Sequence, residues 1–271
     1  MSGGFAIPVA PLFVPADRPE RFAKAAASGA DAVILDLEDA VPPERKAAAR
    51  AALDTAFTSL PVIVRVNALD TPWHAEDMAA VMRLRPAAIM LPKAEDVGEV
   101  AALARQLPVI ALVETVRGIA SVRDIAMHGR AAVLALGTVD YVADLGCAHT
   151  REALLAARGE VVLASRLGGI GAPLDGVTLD VRDAALARED AAYARALGFG
   201  GKLAIHPAQV PPVLEGMAPE PREIAWARRV LESGGGAVAV DGAMVDEPVR
   251  MRARALLRRA SGASLGESRS V

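Results

Sequence analysis

The sequence lacks several features that would place it in common classes of protein. Its single cysteine, Cys147, excludes an internal disulfide and fits a reducing compartment. No apolar run reaches the roughly 18 residues that a membrane helix needs. The first residues have no basic segment in front of an apolar one, as a signal peptide would. We therefore expect a cytoplasmic protein that does not act in a membrane.

An excess of positive charge is also missing. The net charge is −3 and the pI is about 5.9, so no electrostatic case exists for binding nucleic acid. The four histidines, His74, His128, His149 and His206, do not have the spacing of a zinc site.

What the sequence does contain is a regular alternation of apolar runs and helix-like stretches. Hydrophobic residues make up 53% of its 271 residues, enough for one large core, and its length is close to the roughly 250 residues of a (β/α)8 barrel. Near-continuous apolar runs indicate parallel strands that are buried on both faces. Candidate strands begin near Val9, Ala32, Val62, Ala88, Val109, Ala132, Gly176 and Lys202. The pattern predicts an α/β fold, a (β/α)8 TIM barrel over residues 1–212.

Between the candidate strands lie stretches rich in Ala, Leu, Arg and Glu, which favour helices. The predicted helices cover residues 18–27, 44–57, 75–83, 97–106, 119–127, 151–167 and 184–197. Asp183 could cap the last of them, and Gly198 could end it.

The remaining residues differ in character from the barrel. Residues 213–262 are predicted to form a C-terminal lid or arm, too small to fold alone, with a helix at 222–232 and another at 248–259. Between the helices, a glycine-rich stretch at 233–236 precedes a short hairpin with a turn at Asp241 and Gly242. Residues 263–271 are small and polar, which predicts a disordered tail.

Several predicted strands end in polar residues, where a (β/α)8 barrel builds its active site. Glu114 and Asp140 follow consecutive strands, so both carboxylates can reach one point. Two carboxylates without His or Cys suit a hard cation such as Mg²⁺, although the pair could equally be salt-bridged acids at strand ends. Arg65 could bind a carboxylate or an enolate oxygen.

The alternative interpretation of Arg65 is a structural ion pair with the acids that follow the neighbouring strand. These acids are Asp36, Glu38 and Asp39. Both interpretations can hold together, because acids that fix the direction of an arginine also prepare it for a substrate.

Eight segments resemble, in order, the citrate lyase β-subunit family within the HpcH/HpaI-type aldolases. They are residues 12–20 (LFVPADRPE), 34–41 (ILDLEDAV), 64–67 (VRVN), 91–95 (LPKAE), 114–115 (ET), 140–146 (DYVADLG), 175–177 (DGV) and 201–209 (GKLAIHPAQ). With Asp246 and its neighbours up to Pro248, the resemblance covers nearly the whole chain. One departure is Ala16, where the first motif of the family often has glycine.

The resemblance implies a Mg²⁺-dependent carbon–carbon lyase that acts on a 3-hydroxyacyl-CoA thioester of the citryl-CoA, malyl-CoA or citramalyl-CoA type. It implies the following roles: Glu114 and Asp140 as metal ligands, Arg65 and Glu114 at the substrate, Arg18 and Lys24 at the coenzyme A phosphates, and His206 and Pro207 near its nucleotide. Asp36, Glu38 and Asp39 are assigned to substrate binding together with Arg65, because they follow the neighbouring strand. Asp246 resembles a lid aspartate that reaches a neighbouring subunit and transfers a proton. A homotrimer or hexamer is therefore expected.

Three other functions remain open at this stage. A class II aldolase acting on free hydroxy-keto acids would use the same metal and arginine but would not need Arg18, Lys24 or the lid. A thioesterase or synthase would share the first enolate step. The chain could also be the subunit of a citrate lyase complex that receives its substrate on an acyl-carrier protein.

Overall fold

A computed structural model describes residues 5–234, 236, 238–240 and 242–261. The chain divides into two compact units, Met1–Met217 and Ala218–Val271. The predicted boundary after residue 212 falls inside the last helix of the first unit. The predicted tail, 263–271, lies outside the described residues, as do Gly235 of the glycine-rich stretch and Asp241 of the hairpin turn.

The first unit is built on an eight-stranded parallel sheet whose strands are ordered as they occur in the chain. The strands are β1 (Leu12–Pro15), β2 (Val33–Asp36), β3 (Val62–Arg65), β4 (Ala88–Leu91), β5 (Val109–Val113), β6 (Val133–Leu136), β7 (Leu174–Asp175) and β8 (Gly201–Lys202). The sheet curls until its two edges meet: Phe13 N–H donates to the Ala204 carbonyl at 2.9 Å, and Ala204 N–H donates to the Pro11 carbonyl at 3.0 Å. The result is a TIM-like barrel.

Helices follow the strands in alternation. They are α1 (Phe22–Ala26), α2 (Lys46–Ala51), α3 (His74–Leu84), α4 (Val97–Ala104), α5 (Val116–His128), α6 (Thr138–Leu145), α7 (Arg151–Leu167), α8 (Ala184–Leu197) and α9 (Val210–Met217), with 3-10 turns at Pro19–Arg21, Pro43–Arg45 and Pro207–Gln209. Side-chain caps fix several starts: Thr115 accepts from Gly118 N–H at 2.9 Å, and Asp183 accepts from Leu186 N–H at 2.9 Å, as the sequence predicts for that helix.

The two faces of each strand pack into different cores, which explains the near-continuous apolar runs. Ile34, Ile63, Met90 and Ile110 belong to a cluster whose buried members lie in strands or beside them, so this cluster fills the barrel interior. Their chain neighbours, such as Leu35, join a larger cluster that includes the buried faces of the helices. Burial on both sides of a parallel sheet is thus confirmed.

Two predicted strand positions are wrong. β1 begins at Leu12 rather than near Val9, because the backbone N–H groups of Val9 and Ala10 donate to the carboxylate of Asp31 at 2.5 and 2.9 Å. β7 ends at Asp175, before the predicted start at Gly176.

The predicted helices also need correction. α2 ends at Ala51, not at residue 57, and two helices, α6 and α9, were not predicted. The sequence predicts that the first residues of α6 continue the end of β6. In the structure, the helix instead begins after Gly137 and ends at Gly146, whose φ is 74°. Helix α9 carries Pro211 and Pro212 in its first turn, where a missing N–H costs no intrahelical hydrogen bond.

The second unit has the predicted order of helix, hairpin and helix. Helix α10 (Pro221–Glu232) precedes an antiparallel pair, β9 (Val238–Val240) and β10 (Ala243–Val245), and α11 (Glu247–Ala260) follows. A small core holds it together, made by Ala227, Val230, Val245, Ala253 and Leu256. In the described part of the chain, there is no helix with the length and apolarity that crossing a membrane requires.

Candidate active site

Arg65 is held at the carboxyl end of β3 by the acid that ends the neighbouring strand. Asp36 and Arg65 are register partners, and the guanidinium binds the carboxylate in a bidentate manner, with Nε–Oδ1 and Nη2–Oδ2 both at 2.7 Å. Asp36 also accepts the backbone N–H groups of Glu38 at 2.9 Å and Ala40 at 3.2 Å. These bonds fix the loop after β2 and the direction of Arg65 together.

The third nitrogen of Arg65 is engaged by the same loop. Nη1 lies 2.8 Å from Glu38 Oε2 and 3.7 Å from Asp39 Oδ2, and the guanidinium lies over the ring of Phe13. Burial alone would lower the pKa of Arg65, but Asp36 and Glu38 outweigh burial and raise it. The ion pairs that the sequence allowed for Arg65 are therefore present. They keep it charged at the rim of the barrel.

Lys93, for which the sequence predicts no role, contacts three acids of the barrel rim. Its backbone N–H donates to Glu114 Oε1 at 2.9 Å, and its Nζ lies 2.9 Å from Glu38 Oε1 and 3.7 Å from Asp140 Oδ2. The signals in the sequence were its charge, its position just after β4 and its place in the segment 91–95. None of them indicated that one residue contacts three carboxylates.

Glu114 follows β5 and is buried, with 3% of its surface exposed. Space for its carboxylate comes from Gly137, where an added Cβ would overlap both Glu114 Oε2 and Glu114 Cβ. The pKa of Glu114 is raised to about 8, mainly by burial and secondly by the nearby Glu38. Arg65 and the Lys93 N–H oppose this rise, and Asp140 adds to it. The ionised form of Glu114 therefore lacks sufficient positive charge around it.

Asp140 lies in the first turn of α6 rather than at the end of β6, and 36% of its side chain is exposed. Five acids, Asp36, Glu38, Asp39, Glu114 and Asp140, thus surround two cationic side chains, Arg65 and Lys93. Among the residues that the structure describes, no group of three His, Cys, Asp or Glu is arranged to hold a metal. Glu114 and Asp140 offer a two-carboxylate site, which fits a cation that keeps several waters.

A buried amine supports the loop that carries Glu38. Lys46 Nζ donates to the carbonyls of Leu37 and Glu38 at 2.7 and 2.8 Å and to Asn67 Oδ1 at 2.6 Å. Asn67 in turn donates through its side chain to Asp77 Oδ2 at 2.6 Å. Burial lowers the pKa of Lys46, and nearby acids oppose the change. This network holds the β2 and β3 ends from behind.

A second buried ionic cluster lies at the ends of β7 and β8. Asp175, which is fully buried, accepts from Arg158 Nε at 2.9 Å and from Lys202 Nζ at 3.0 Å. Burial alone would raise the pKa of Asp175, but Lys202 and Arg158 outweigh it, so the pKa is lowered. The following Gly176 packs against Thr138 of α6, and an added Cβ there would overlap the Thr138 side chain. The cluster thus borders the helix that carries Asp140.

The residues implied for coenzyme A lie after β1 and β8, apart from the acidic cluster. Arg18 and Lys24 are exposed, and exposed His206 caps the 3-10 turn that Pro207 begins, accepting from Ala208 N–H at 3.2 Å. Because β1 and β8 are neighbours in the closed sheet, the segments that follow these two strands leave the same part of the rim. Asp246 belongs to the second unit, where it caps α11 by accepting from Val249 N–H at 3.2 Å.

Comparisons with known proteins find relatives of this chain over nearly its whole length. The family model described as HpcH/HpaI aldolase/citrate lyase matches residues 10–207. A citrate lyase subunit beta-like protein of Mycobacterium tuberculosis is 44% identical over 264 residues, which cover 93% of this chain and 96% of that protein. A (3S)-malyl-CoA thioesterase of Cereibacter sphaeroides is 35% identical over 266 residues, covering 92% and 93% of the two chains.

A solved structure is similar over the same extent. The crystal structure of CitE from Mycobacterium tuberculosis, in complex with magnesium, acetoacetate and coenzyme A, superimposes with a TM-score of 0.86 at 42% identity. The match covers 94% of this chain and 98% of that one.

Proposed function

Since the chain belongs to the HpcH/HpaI aldolase/citrate lyase family, we propose that it is a magnesium-dependent carbon–carbon lyase. It cleaves a 3-hydroxyacyl-CoA thioester of the citryl-CoA, malyl-CoA or citramalyl-CoA type into an acyl-CoA and a 2-keto acid. The observation that carries the proposal is the pairing of buried Glu114 with half-buried Asp140 beside Arg65 and Lys93.

Glu114 and Asp140 are the proposed holders of Mg²⁺. When bound, the cation would act as a Lewis acid toward the hydroxyl of the substrate and its neighbouring carboxylate. The raised pKa of Glu114 supports this assignment, because a cation would supply the positive charge that the ionised carboxylate lacks. The crystal structure of the Mycobacterium tuberculosis CitE contains magnesium, which supports the choice of cation.

The proposed reaction breaks the bond between the carbon that bears the hydroxyl and the α-carbon of the thioester. The hydroxyl loses its proton, and its oxygen becomes the carbonyl of the 2-keto acid. The electron pair of the broken bond moves to the thioester, whose enolate then takes up a proton at the α-carbon. Arg65 offers positive charge where oxygen becomes negative, and Asp246 is our proposed proton donor.

Coenzyme A would lie along the loops after β1 and β8. Arg18 and Lys24 are exposed cations suited to its phosphates, and His206 and Pro207 are proposed to border its nucleotide. The Mycobacterium tuberculosis CitE was crystallised with coenzyme A, which supports a thioester substrate for this chain over a free hydroxy-keto acid.

The test is cleavage of citryl-CoA, malyl-CoA and citramalyl-CoA by the purified chain, with Mg²⁺ and with a chelator. The proposal expects a 2-keto acid from one of these esters in the presence of Mg²⁺ and none with the chelator. A free hydroxy-keto acid serves as the control substrate for a class II aldolase. Turnover that persists unchanged in the chelator would contradict the metal assignment.

A second candidate function is hydrolysis of the same thioesters. Relatives named (3S)-malyl-CoA thioesterase are 35% identical over nearly the whole chain, so they favour it specifically. Release of free coenzyme A thiol together with malate would identify this activity. A synthase running the first step in reverse would instead consume the acyl-CoA and the keto acid.

Assembly is part of the proposal as well. A homotrimer or hexamer would let Asp246 of one subunit act in the site of another, and light scattering that shows a fully active monomer would contradict this. A carrier-dependent subunit would co-purify with an acyl-carrier protein and would leave free CoA esters intact.

A further inference from the structure

Lys93 is the most accessible cation of the acidic rim. Its side chain is 38% exposed, whereas that of Arg65 is 11% exposed, with Nε and Nη2 bound to Asp36 and Nη1 to Glu38. Lys93 Nζ has three N–H donors, and its only close partner in the described residues is Glu38 Oε1 at 2.9 Å. Its second acid, Asp140, lies at 3.7 Å, beyond a normal hydrogen bond.

The backbone at Lys93 also departs from what its residue type favours. Its φ is 48°, in the left-handed region that non-glycine residues adopt at a cost. Among the residues that the structure describes, two other non-glycine residues share this feature. Arg85 and Arg130, each with φ of 56°, lie where helices α3 and α5 end, and there a left-handed residue commonly stops a helix. Lys93 has no such role, since it lies between β4 and the start of α4.

The conformation has one visible consequence. It lets the backbone N–H of Lys93 reach Glu114 Oε1 while the side chain extends to Glu38 and toward Asp140. A strained residue that faces a site on both its backbone and its side chain is more typical of function than of packing.

Resting on the proposed function, we infer that Lys93 binds the carboxylate of the 2-keto acid half of the substrate. A cation bound by Glu114 and Asp140 would neutralise the carboxylate charge that otherwise attracts Lys93 Nζ. The ammonium would keep its bond to Glu38 and turn its free donors to an anionic group that enters from the exposed side. Arg65 would then interact only with the substrate oxygen that becomes negative during the reaction.

The test compares Lys93→Met, which removes the charge but keeps the length, with Lys93→Arg, which keeps the charge. The inhibition constants of pyruvate and oxaloacetate against CoA-ester cleavage are measured with Mg²⁺ present, and Mg²⁺ binding is measured separately by calorimetry. Lys93→Met should weaken keto-acid inhibition roughly 10- to 100-fold, as expected for losing a charged hydrogen bond, and Lys93→Arg should restore part of it. The affinity for Mg²⁺ should stay equal or increase, because a competing ammonium is gone.

Lys93→Gly and Arg85→Gly form a matched pair, since both relieve a left-handed backbone. Only Lys93→Gly should weaken keto-acid inhibition, whereas Arg85→Gly should leave both the inhibition and the melting temperature unchanged. Unchanged keto-acid inhibition in Lys93→Met, or a parallel loss of Mg²⁺ affinity, would overturn the inference while leaving the lyase intact. A wild-type chain that binds neither Mg²⁺ nor keto acid would instead overturn the proposed function, and this inference with it.

Discussion

Individual residues at the barrel rim show how the charges of the candidate site are balanced. Glu38 pairs with both Arg65 and Lys93, although burial outweighs them and still raises its pKa, whereas the direct partner of Glu114 is a backbone N–H at 2.9 Å. Asp140 has a single distant cation. The two acids that the metal assignment needs thus lack a close cationic side chain among the described residues, a feature that Asp39 shares.

We predict that Glu114→Gln and Asp140→Asn each abolish Mg²⁺-dependent cleavage of CoA esters. Each change keeps the shape of the side chain but removes the charge that a hard cation requires. Calorimetric titration with Mg²⁺, followed by the rate at saturating Mg²⁺, checks the prediction. Glu160→Gln is the control, because Glu160 pairs with Arg123 in the ion pair between α5 and α7, outside the site. Full metal-dependent turnover in both site variants would contradict the assignment.

Replacing Gly137 tests the same site without changing a charge. Gly137→Ala would force Glu114 to move, because the added methyl group overlaps the glutamate side chain. We expect Mg²⁺ affinity and turnover to fall together by at least an order of magnitude, in line with the roughly 10²-fold loss that a 1 Å misplacement can cause.

Gly159→Ala is the matched control for Gly137→Ala. Gly159 lies within α7, and an added Cβ there meets nothing within 4 Å, so activity should not change. Replacing glycine in a helix interior should raise stability by about 0.5–1 kcal/mol. Equal activity of the two alanine variants would show that Gly137 does not shape the site.

The sequence predicts part of this site and misses the rest for definable reasons. Asp36, Arg65 and Glu114 follow apolar strands directly, so the parallel pattern alone places them on one rim. Lys93 acquires its contacts through a left-handed backbone, and Gly137 matters through a close approach to a residue on another strand. Neither property can be read from residue type or spacing.

At the scale of elements, the sequence predicts strands better than the short helices. Apolar runs buried on both faces mark the strands clearly, and β3 and β5 begin where predicted, at Val62 and Val109. Helix α6 was missed because a single residue, Gly137, separates it from the apolar run of β6. That helix carries Asp140, so the metal site depends on an element that the pattern did not show.

The ionic cluster at β7 and β8 should make stability depend on pH. Asp175 has a lowered pKa in the folded chain, compared with roughly 3.9 for an unfolded aspartate. Its contribution is therefore fully present above the unfolded pKa and is lost as pH falls through the lower, folded value. Urea unfolding below about pH 4 should show this loss in the wild type.

Asp175→Asn should remove that acid-dependent step and destabilise the chain at pH 7 by about 3–5 kcal/mol, because Lys202 and Arg158 would stay buried with less negative charge. Asp124→Asn changes an exposed acid on α5 and should alter stability by less than about 0.5 kcal/mol. An Asp175→Asn variant as stable as the control would contradict a stabilising role for the cluster.

At the scale of the whole molecule, two compact units divide the proposed functions. The barrel unit carries the acids and the arginine, and the C-terminal unit carries Asp246. The sequence predicts a barrel followed by a segment of helix, hairpin and helix, because prolines mark the change in character, but it places the boundary after residue 212 instead of Met217. It does not specify their assembly into oligomers, which depends on surfaces that composition does not describe.

Asp246→Asn separates the structural role of this residue from its proposed chemical role. Asparagine also caps helices, so the bond to Val249 N–H and the melting temperature should be kept. An amide cannot donate a proton as a carboxylic acid does, so kcat should fall by roughly 10²–10⁴-fold with KM nearly unchanged. A normal kcat would remove Asp246 from the reaction.

The central claim is that the rim around Glu114 and Asp140 breaks a carbon–carbon bond. The most direct measurement is mass-spectrometric identification of the first products from the CoA ester that is turned over fastest with Mg²⁺. We predict an acyl-CoA and a 2-keto acid in equal amounts, such as acetyl-CoA and glyoxylate from malyl-CoA. Free coenzyme A and the intact hydroxy acid, formed without any acyl-CoA, would contradict the account.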